Sequence, residues 1–249
     1  MQFRLRVWRQ AGPNAPGGFE EHVARDVKED MSILEVLDQV NQDLVKEGRD
    51  PIAFESDCRE GICGVCGLVI NGVPHGEQRK TTTCELRMRH FSHGQTITVE
   101  PFRAGAMPII KDLMVDRTAL DHLIQSAGYV STRIGSSPEA NTIPVAKQDQ
   151  EEAMDAAECI GCGACAAACP NASAMLFIGA KVSHLAKLPQ GRPEAARRVM
   201  AMSERMQELG FGNCSNHYEC QAVCPKDIDV KFISRLNREF FKALFKKGN

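Results

Sequence analysis

The chain has 249 residues, with 30 Lys and Arg against 32 Asp and Glu, and its formal net charge of -2 leaves no broad electrostatic case for binding nucleic acid. Hydrophobic residues make up 43%, enough for a real core, and the length suits one large domain or two ordinary ones. Eleven cysteines, with nothing like an export signal in residues 1–10, imply metal or cluster ligation rather than disulfides. The longest apolar stretches, such as 172–180, fall short of the roughly 20 residues that span a bilayer.

Phe3, Leu5 and Val7 alternate with polar residues, so residues 2–8 read as a strand. Gly17 and Gly18 mark a turn, and 19–27 reads as a second, returning strand. Ser32 and Glu35 have the form of a capping box, after which Leu37, Val40, Asn41 and Leu44 follow helical spacing to about Gly48. The expected shape is a small mixed sheet crossed by one helix. Cys58, Cys63 and Cys66 then form C-x4-C-x2-C, the plant-type spacing for a 2Fe–2S cluster, and Cys84 supplies the fourth ligand. Gly61, Gly64 and Gly67 let this loop curl with its amides toward the sulfurs. Four cysteines also suit tetrahedral zinc, but zinc sites pair two short C-x2-4-C knuckles and one is present here. Residues 68–70 read as a strand entering an Asn71–Gly72 hairpin turn, and 95–100 as a closing strand. His75, His90 and His93 read as solvated loop histidines, because the cysteine–histidine spacing of a Rieske centre is missing.

Glycine and prolines in 101–108 break both periods and predict a boundary, dividing the chain into 1–104 and 105–249. Residues 109–128 read as a helix with Leu113, Met114, Leu120, Leu123 and Ile124 toward the core. A loop over 135–144 and a helix over 151–158 follow. Residues 159–170 spell C-x2-C-x2-C-x3-C-P, a run whose fourth cysteine ligates the other cluster in two-cluster ferredoxins. Its mate is 214–225, where Cys214, Cys220, Cys224 and Pro225 match and His217 stands at the second cysteine position. Crosswise ligation then gives Cys159, Cys162, Cys165 and Cys224 to a 4Fe–4S cluster. Cys169, Cys214 and Cys220 remain, and three thiolates suit a 3Fe–4S cluster, which lacks the corner iron. Four, four and three use all eleven cysteines. Imidazole is also a good iron ligand, so a 4Fe–4S cluster with His217 is the alternative.

Between the runs, 193–209 reads as a helix with Val199, Met202 and Met206 inward. At the end, 231–247 reads as a basic amphipathic helix. Phe232, Ile233, Leu236, Phe240, Leu244 and Phe245 share it with Arg235, Arg238, Lys242, Lys246 and Lys247. Such a helix suits either an anionic membrane surface or docking on its own domain. Neither a phosphate-binding glycine loop nor a nucleophile elbow is recognisable, so no catalytic residue is assigned. Three redox centres without a substrate constellation describe an electron wire.

The residues of 56–66, 109–113, 159–170 and 214–225, in that order, resemble the iron–sulfur subunits of succinate dehydrogenase and fumarate reductase. The resemblance implies an α+β chain: a β-grasp, plant-type ferredoxin-like domain followed by an all-α, bacterial ferredoxin-like domain. It also implies a flavoprotein subunit carrying FAD, and membrane anchor subunits where quinone reacts, with haem b as an optional cofactor there. Electrons would pass from FAD through 2Fe–2S, 4Fe–4S and 3Fe–4S to quinone, on the cytoplasmic face of the inner (plasma) membrane. Fumarate reduction in reverse, or a subunit of a thiol-linked fumarate or heterodisulfide reductase, are the alternatives. A stand-alone carrier, or a protein using clusters as staples, are the readings from other classes. Two features depart from the better-known members. The stretch 71–83 between the third and fourth 2Fe–2S ligands is longer, and Asn-Ala-Ser-Ala follows Pro170 where a tryptophan often stands. Trp8 is the single tryptophan. Pro170, Ser215 and His217 are the nearest matches to the family's quinone surroundings.

Overall fold

The computed structural model describes residues 1–131, 135–142 and 145–246. The alternating N-terminal sequence forms β1 (Phe3–Arg9), with Phe3, Leu5 and Val7 wholly buried on one face. It pairs antiparallel with β2 (Gly18–Ala24) and parallel with β5 (Thr96–Pro101). The sheet continues through β3 (Leu68–Ile70) and β4 (Val73–Pro74), giving the order β2-β1-β5-β3-β4. Helix α1 (Ile33–Lys46) lays Ile33, Leu34, Val36, Leu37, Val40 and Leu44 into the same core. The capping box is formed: Ser32 Oγ accepts the Glu35 N–H at 3.3 Å, and the Glu35 carboxylate accepts the Ser32 N–H at 2.6 Å. Such a cap contributes about 1 kcal/mol, and each fully buried Leu or Phe about 1.5–3 kcal/mol.

The helix expected over 109–128 is corrected. Its first part is a small hairpin, β6 (Ile109–Lys111) and β7 (Met114–Val115), and α2 (Thr118–Ala127) begins only after it. Asp112 decides this. It turns the chain at φ +48, and its buried carboxylate accepts the N–H groups of Gln10 (2.8 Å) and Ala53 (2.9 Å) beside Arg9 (3.4 Å). Those partners lie far away in sequence, so local periodicity carried no sign of them. Leu120 and Leu123 are buried as expected, whereas Ile124 is exposed.

The two cores interleave along the chain. Phe102 belongs to the second core, and Leu113, eleven residues later, to the first. The second core is helical: α3 (Lys147–Ala157), α4 (Ala164–Ala168), α5 (Met175–Lys187), α6 (Ala195–Glu208), α7 (Glu219–Ala222) and α8 (Lys231–Lys246). Helix α5 carries no periodic sequence signal because it is buried nearly all round and so shows no amphipathic stripe. It crosses α8 closely at Gly179, where an added Cβ would lie 2.9 Å from Phe232 O. Helix α6 turns Val199, Met202 and Met206 inward, and its buried Arg198 donates to the carbonyls of Ala127, Tyr129 and Gly191 at 2.8–3.0 Å. Helix α8 buries Phe232, Ile233 and Leu236 but leaves Phe241, Leu244 and Phe245 exposed. Among the described residues no helix is long and apolar enough to cross a membrane. Of the readings above, residues 143–144 and 247–249 lie outside the described residues.

Candidate metal centres

The first thiol set sits on an irregular loop before β3. Cys58 and Cys63 are half-buried, and Cys66 is buried. The buried Cys84 arrives from a single 3-10 turn, Thr83–Glu85. Arg59, Gly61 and Gly64 take left-handed dihedrals that curl the loop, and a Cβ on Gly61 would strike the Glu85 carboxylate at 2.6 Å. The Glu60 and Ile62 N–H groups point at Cys58 Sγ from 3.4 and 3.5 Å, and they draw this thiol below its ordinary range. Cys66 and Cys84 share a hydrogen bond that raises Cys66 and lowers Cys84, and Thr82 Oγ1 lies 3.1 Å from Cys84 Sγ.

His75 is not solvated, contrary to the sequence reading; it is 1% exposed. Its Nδ1 accepts the Thr83 N–H at 3.2 Å and lies 2.9 Å from Thr83 Oγ1, while its ring stands edge-on to Phe102, centroids 5.6 Å apart. Burial pulls its pKa down to about 4, so the ring is neutral. His75 therefore supports the segment bearing Cys84. The stretch 71–83 that carries it is a bridge as well, since Lys80 near its far end pairs with Asp227, two residues past the second run, at 2.7 Å. His90 and His93 are exposed, as expected.

In the helical half the two runs pack directly on each other, α4 against α7, with Leu176 of α5 lining both cavities. Cys159, Cys162, Cys165 and Cys224 line one cavity together with Leu176 and Phe177. Cys169, Cys214 and Cys220 line a second one with Ser215 and His217 at its mouth. Pro170 is exposed and outside that lining. Asn171 Nδ2 donates to Asn213 O at 2.9 Å and to Ser215 Oγ, tying the two runs together. Burial raises the Cys159, Cys165 and Cys224 thiols, pushes Cys162 up to about 12 and Cys220 to about 11. The Asn216 N–H lies 3.4 Å from Cys214 Sγ, and the Ile228 N–H 3.4 Å from Cys224 Sγ.

This donor chemistry fits iron–sulfur clusters. Thiols converge in each of the three sets, amides aim at the sulfurs, Leu176 and Phe177 wall the four-thiol cavity, and His217 is the one imidazole beside the three-thiol cavity. Among the described residues no three His, Cys, Asp or Glu side chains close on one point tightly enough for a single ion. The two helical sets each line a cavity, which a polynuclear cluster suits better than a single zinc ion does. Raised thiol pKa values mean that loading must release protons.

Two family descriptions match the sequence: a 2Fe-2S iron-sulfur cluster binding domain over residues 4–122 and a 4Fe-4S dicluster domain over residues 155–228. The mitochondrial succinate dehydrogenase [ubiquinone] iron-sulfur subunit 2 of Oryza sativa subsp. japonica is 30% identical over 234 residues, covering 92% of this chain and 70% of that protein. The fumarate reductase iron-sulfur subunit of Escherichia coli O6:H1 is 29% identical over 206 residues, covering 80% of this chain and 76% of its own. A chain of the Mycobacterium smegmatis Sdh1 complex in the apo form shares the fold, with a TM-score of 0.65 over 100% of this chain and 98% of that one, at 21% identity.

Proposed function

Because the chain belongs to the family of iron–sulfur subunits of succinate dehydrogenases and fumarate reductases, we propose that it relays single electrons between the FAD of a flavoprotein subunit and quinone at a membrane anchor. It is an electron-transfer subunit of an oxidoreductase and brings no substrate site of its own. When bound, the clusters supply one-electron chemistry at potentials set by charge, hydrogen bonding and burial.

The residues divide the task as follows. Cys58, Cys63, Cys66 and Cys84 hold the 2Fe–2S cluster within the unit 1–104. Cys159, Cys162, Cys165 and Cys224 hold the 4Fe–4S cluster, and Cys169, Cys214 and Cys220 the 3Fe–4S cluster, within 105–249. What carries this reading is the lining of the two helical cavities, four thiols in one and three in the other. Cys224 leaves its own run to join the first, and Cys169 leaves the first to join the second. The amides on Cys58 and Cys224 stabilise negative charge on sulfur and so favour the reduced state. His217 stands exposed at the rim of the three-thiol cavity, a place for a neighbour of the cluster or of quinone rather than a fourth ligand. Ser215 shares that rim, and Pro170 follows Cys169 in the chain, exposed and outside the lining. The exposed Phe241, Leu244 and Phe245 suit a subunit held peripherally, on the cytoplasmic face of the inner membrane, by its anchor.

The direction, succinate oxidation or fumarate reduction, is set by the partners' potentials, and the proposed direction is succinate oxidation. The complex purified from its membrane should contain about nine irons per chain from these three clusters. Succinate should reduce the first centre, and the oxidised protein should show the paramagnetic signal of a 3Fe–4S centre. An oxidised protein without that signal, or a complex in which succinate reduces FAD but no cluster, would sink the reading.

A further inference from the structure

Gly64 lies between Cys63 and Cys66, in the left-handed region at φ +74. A Cβ on it would lie 2.6 Å from Ile160 O and 3.1 Å from both N and Cα of Cys162. The loop of the first thiol set and the start of the second thus meet backbone against backbone. Arg117, at the N-cap position of α2, fixes the Gly64 side of this contact. Its Nη1 donates to the Gly64 carbonyl at 2.5 Å, and its Nε lies 3.9 Å from Glu55 Oε2. Its charge also acts on Cys162, opposing the burial that raises that thiol. The Arg117 side chain is 20% exposed, so solvent screens it weakly.

We propose that Arg117 is a positioning residue for electron transfer between the first two centres. It fixes the Gly64 carbonyl in the loop that meets the 160–162 segment and sets a positive charge close to both thiol sets. The proposal rests on the ligand assignment given above. Reduction adds negative charge on either side of it, so the cation raises both potentials, and Glu55 offsets part of the effect. The step itself moves one electron and no atom: one centre is oxidised by one, its neighbour is reduced by one, and no proton carrier is needed. Gly64 contributes by being small, since any side chain there would push the two loops apart.

The test uses the intact complex carrying Arg117→Leu, Arg117→Lys or Gly64→Ala. Iron and sulfide are counted, each paramagnetic signal is titrated potentiometrically, and arrival of the electron at the second centre is followed by freeze-quench after succinate. Arg117→Leu should keep its iron but lower the first two potentials by roughly tenfold in the one-electron equilibrium, about 59 mV. Arg117→Lys keeps the charge and should restore the potentials. Gly64→Ala changes no charge and should slow the transfer with both potentials in place. If Arg117→Leu fails to assemble, Arg117→Gln carries the same expectation of lowered potentials. Neutral variants with unchanged potentials and an unchanged transfer rate would overturn the proposal alone. A parent complex lacking either of the first two signals would overturn the ligand assignment, and the proposal with it.

Discussion

The two cysteine runs of the helical half share a backbone and differ in side chains. Gly161 and Gly163 of the first run take φ +65 and +85; Asn216 and Tyr218, at the matching positions of the second, take +58 and +69. Even two residues past the prolines the match holds, Ala172 at +49 against Asp227 at +51. The surroundings differ. In the first run a Cβ on Gly163 would press on Met107 Sδ at 3.0 Å and Leu120 at 3.2 Å, so that run is sealed against other elements. In the second, Asn216, His217 and Tyr218 stand in solvent. One backbone design thus serves a four-thiol cavity whose run is packed on other elements and a three-thiol cavity whose run carries solvent-exposed side chains. The lesson is that local conformation builds the cradle, and packing decides whether it is enclosed or presented to a partner.

The strongest way to break this comparison is Cys224→Ala. It removes the one ligand that the second run lends to the enclosed cavity. Three thiols remain there, the number that suits a 3Fe–4S cluster, so iron should fall by about one per chain and a second oxidised paramagnetic signal should appear, with a drop in thermal midpoint because cluster binding is also folding free energy. Iron analysis and a melting curve check this, and unchanged iron would refute the crossed assignment.

His217→Cys should make the second run chemically equal to the first. The expected outcome is one added iron per chain and loss of the oxidised paramagnetic signal, read by spectroscopy on the purified complex. Retention of that signal would mean that the thiol at 217 does not reach the cavity.

The two histidines extend the contrast, since His75 is enclosed and His217 is not. For His75 the folded pKa, about 4, lies below the ordinary 6.5. The unfolded chain therefore binds the proton more readily, and stability falls as pH drops from 6.5 toward 4. The loss should be about 2 kcal/mol at pH 5 relative to pH 7. His75→Phe should flatten that window in urea unfolding, and an equally steep loss in the variant would place the effect elsewhere.

The smallest effect sharpens the backbone comparison. Tyr218 is bulky and left-handed, where the first run uses Gly163. Tyr218→Gly should relieve strain and gain about 1 kcal/mol in thermal or denaturant unfolding. Gly163→Ala should lose stability instead, both through its φ and through contact with Met107. A loss in Tyr218→Gly would show that the tyrosine ring is packed usefully.

Much of this protein is legible from short-range pattern. The alternation of Phe3, Leu5 and Val7, the Ser32–Glu35 capping box and the spacings around Cys58 and Cys159 are properties of neighbouring residues, and chain geometry translates them directly into strand, helix start and curled loop. What the sequence by itself determined was the donor inventory, the two cluster-run spacings and the α+β order of elements. The tertiary structure alone decided the hairpin at Asp112, the burial of His75, the all-round burial of α5 and the meeting of Gly64 with Ile160. Each depends on partners many residues away: the amide of Ala53, the ring of Phe102, the carbonyl of Phe232, the guanidinium of Arg117. A local pattern records what a residue prefers; only packing says which distant group satisfies it, and at Asp112 the distant group prevailed.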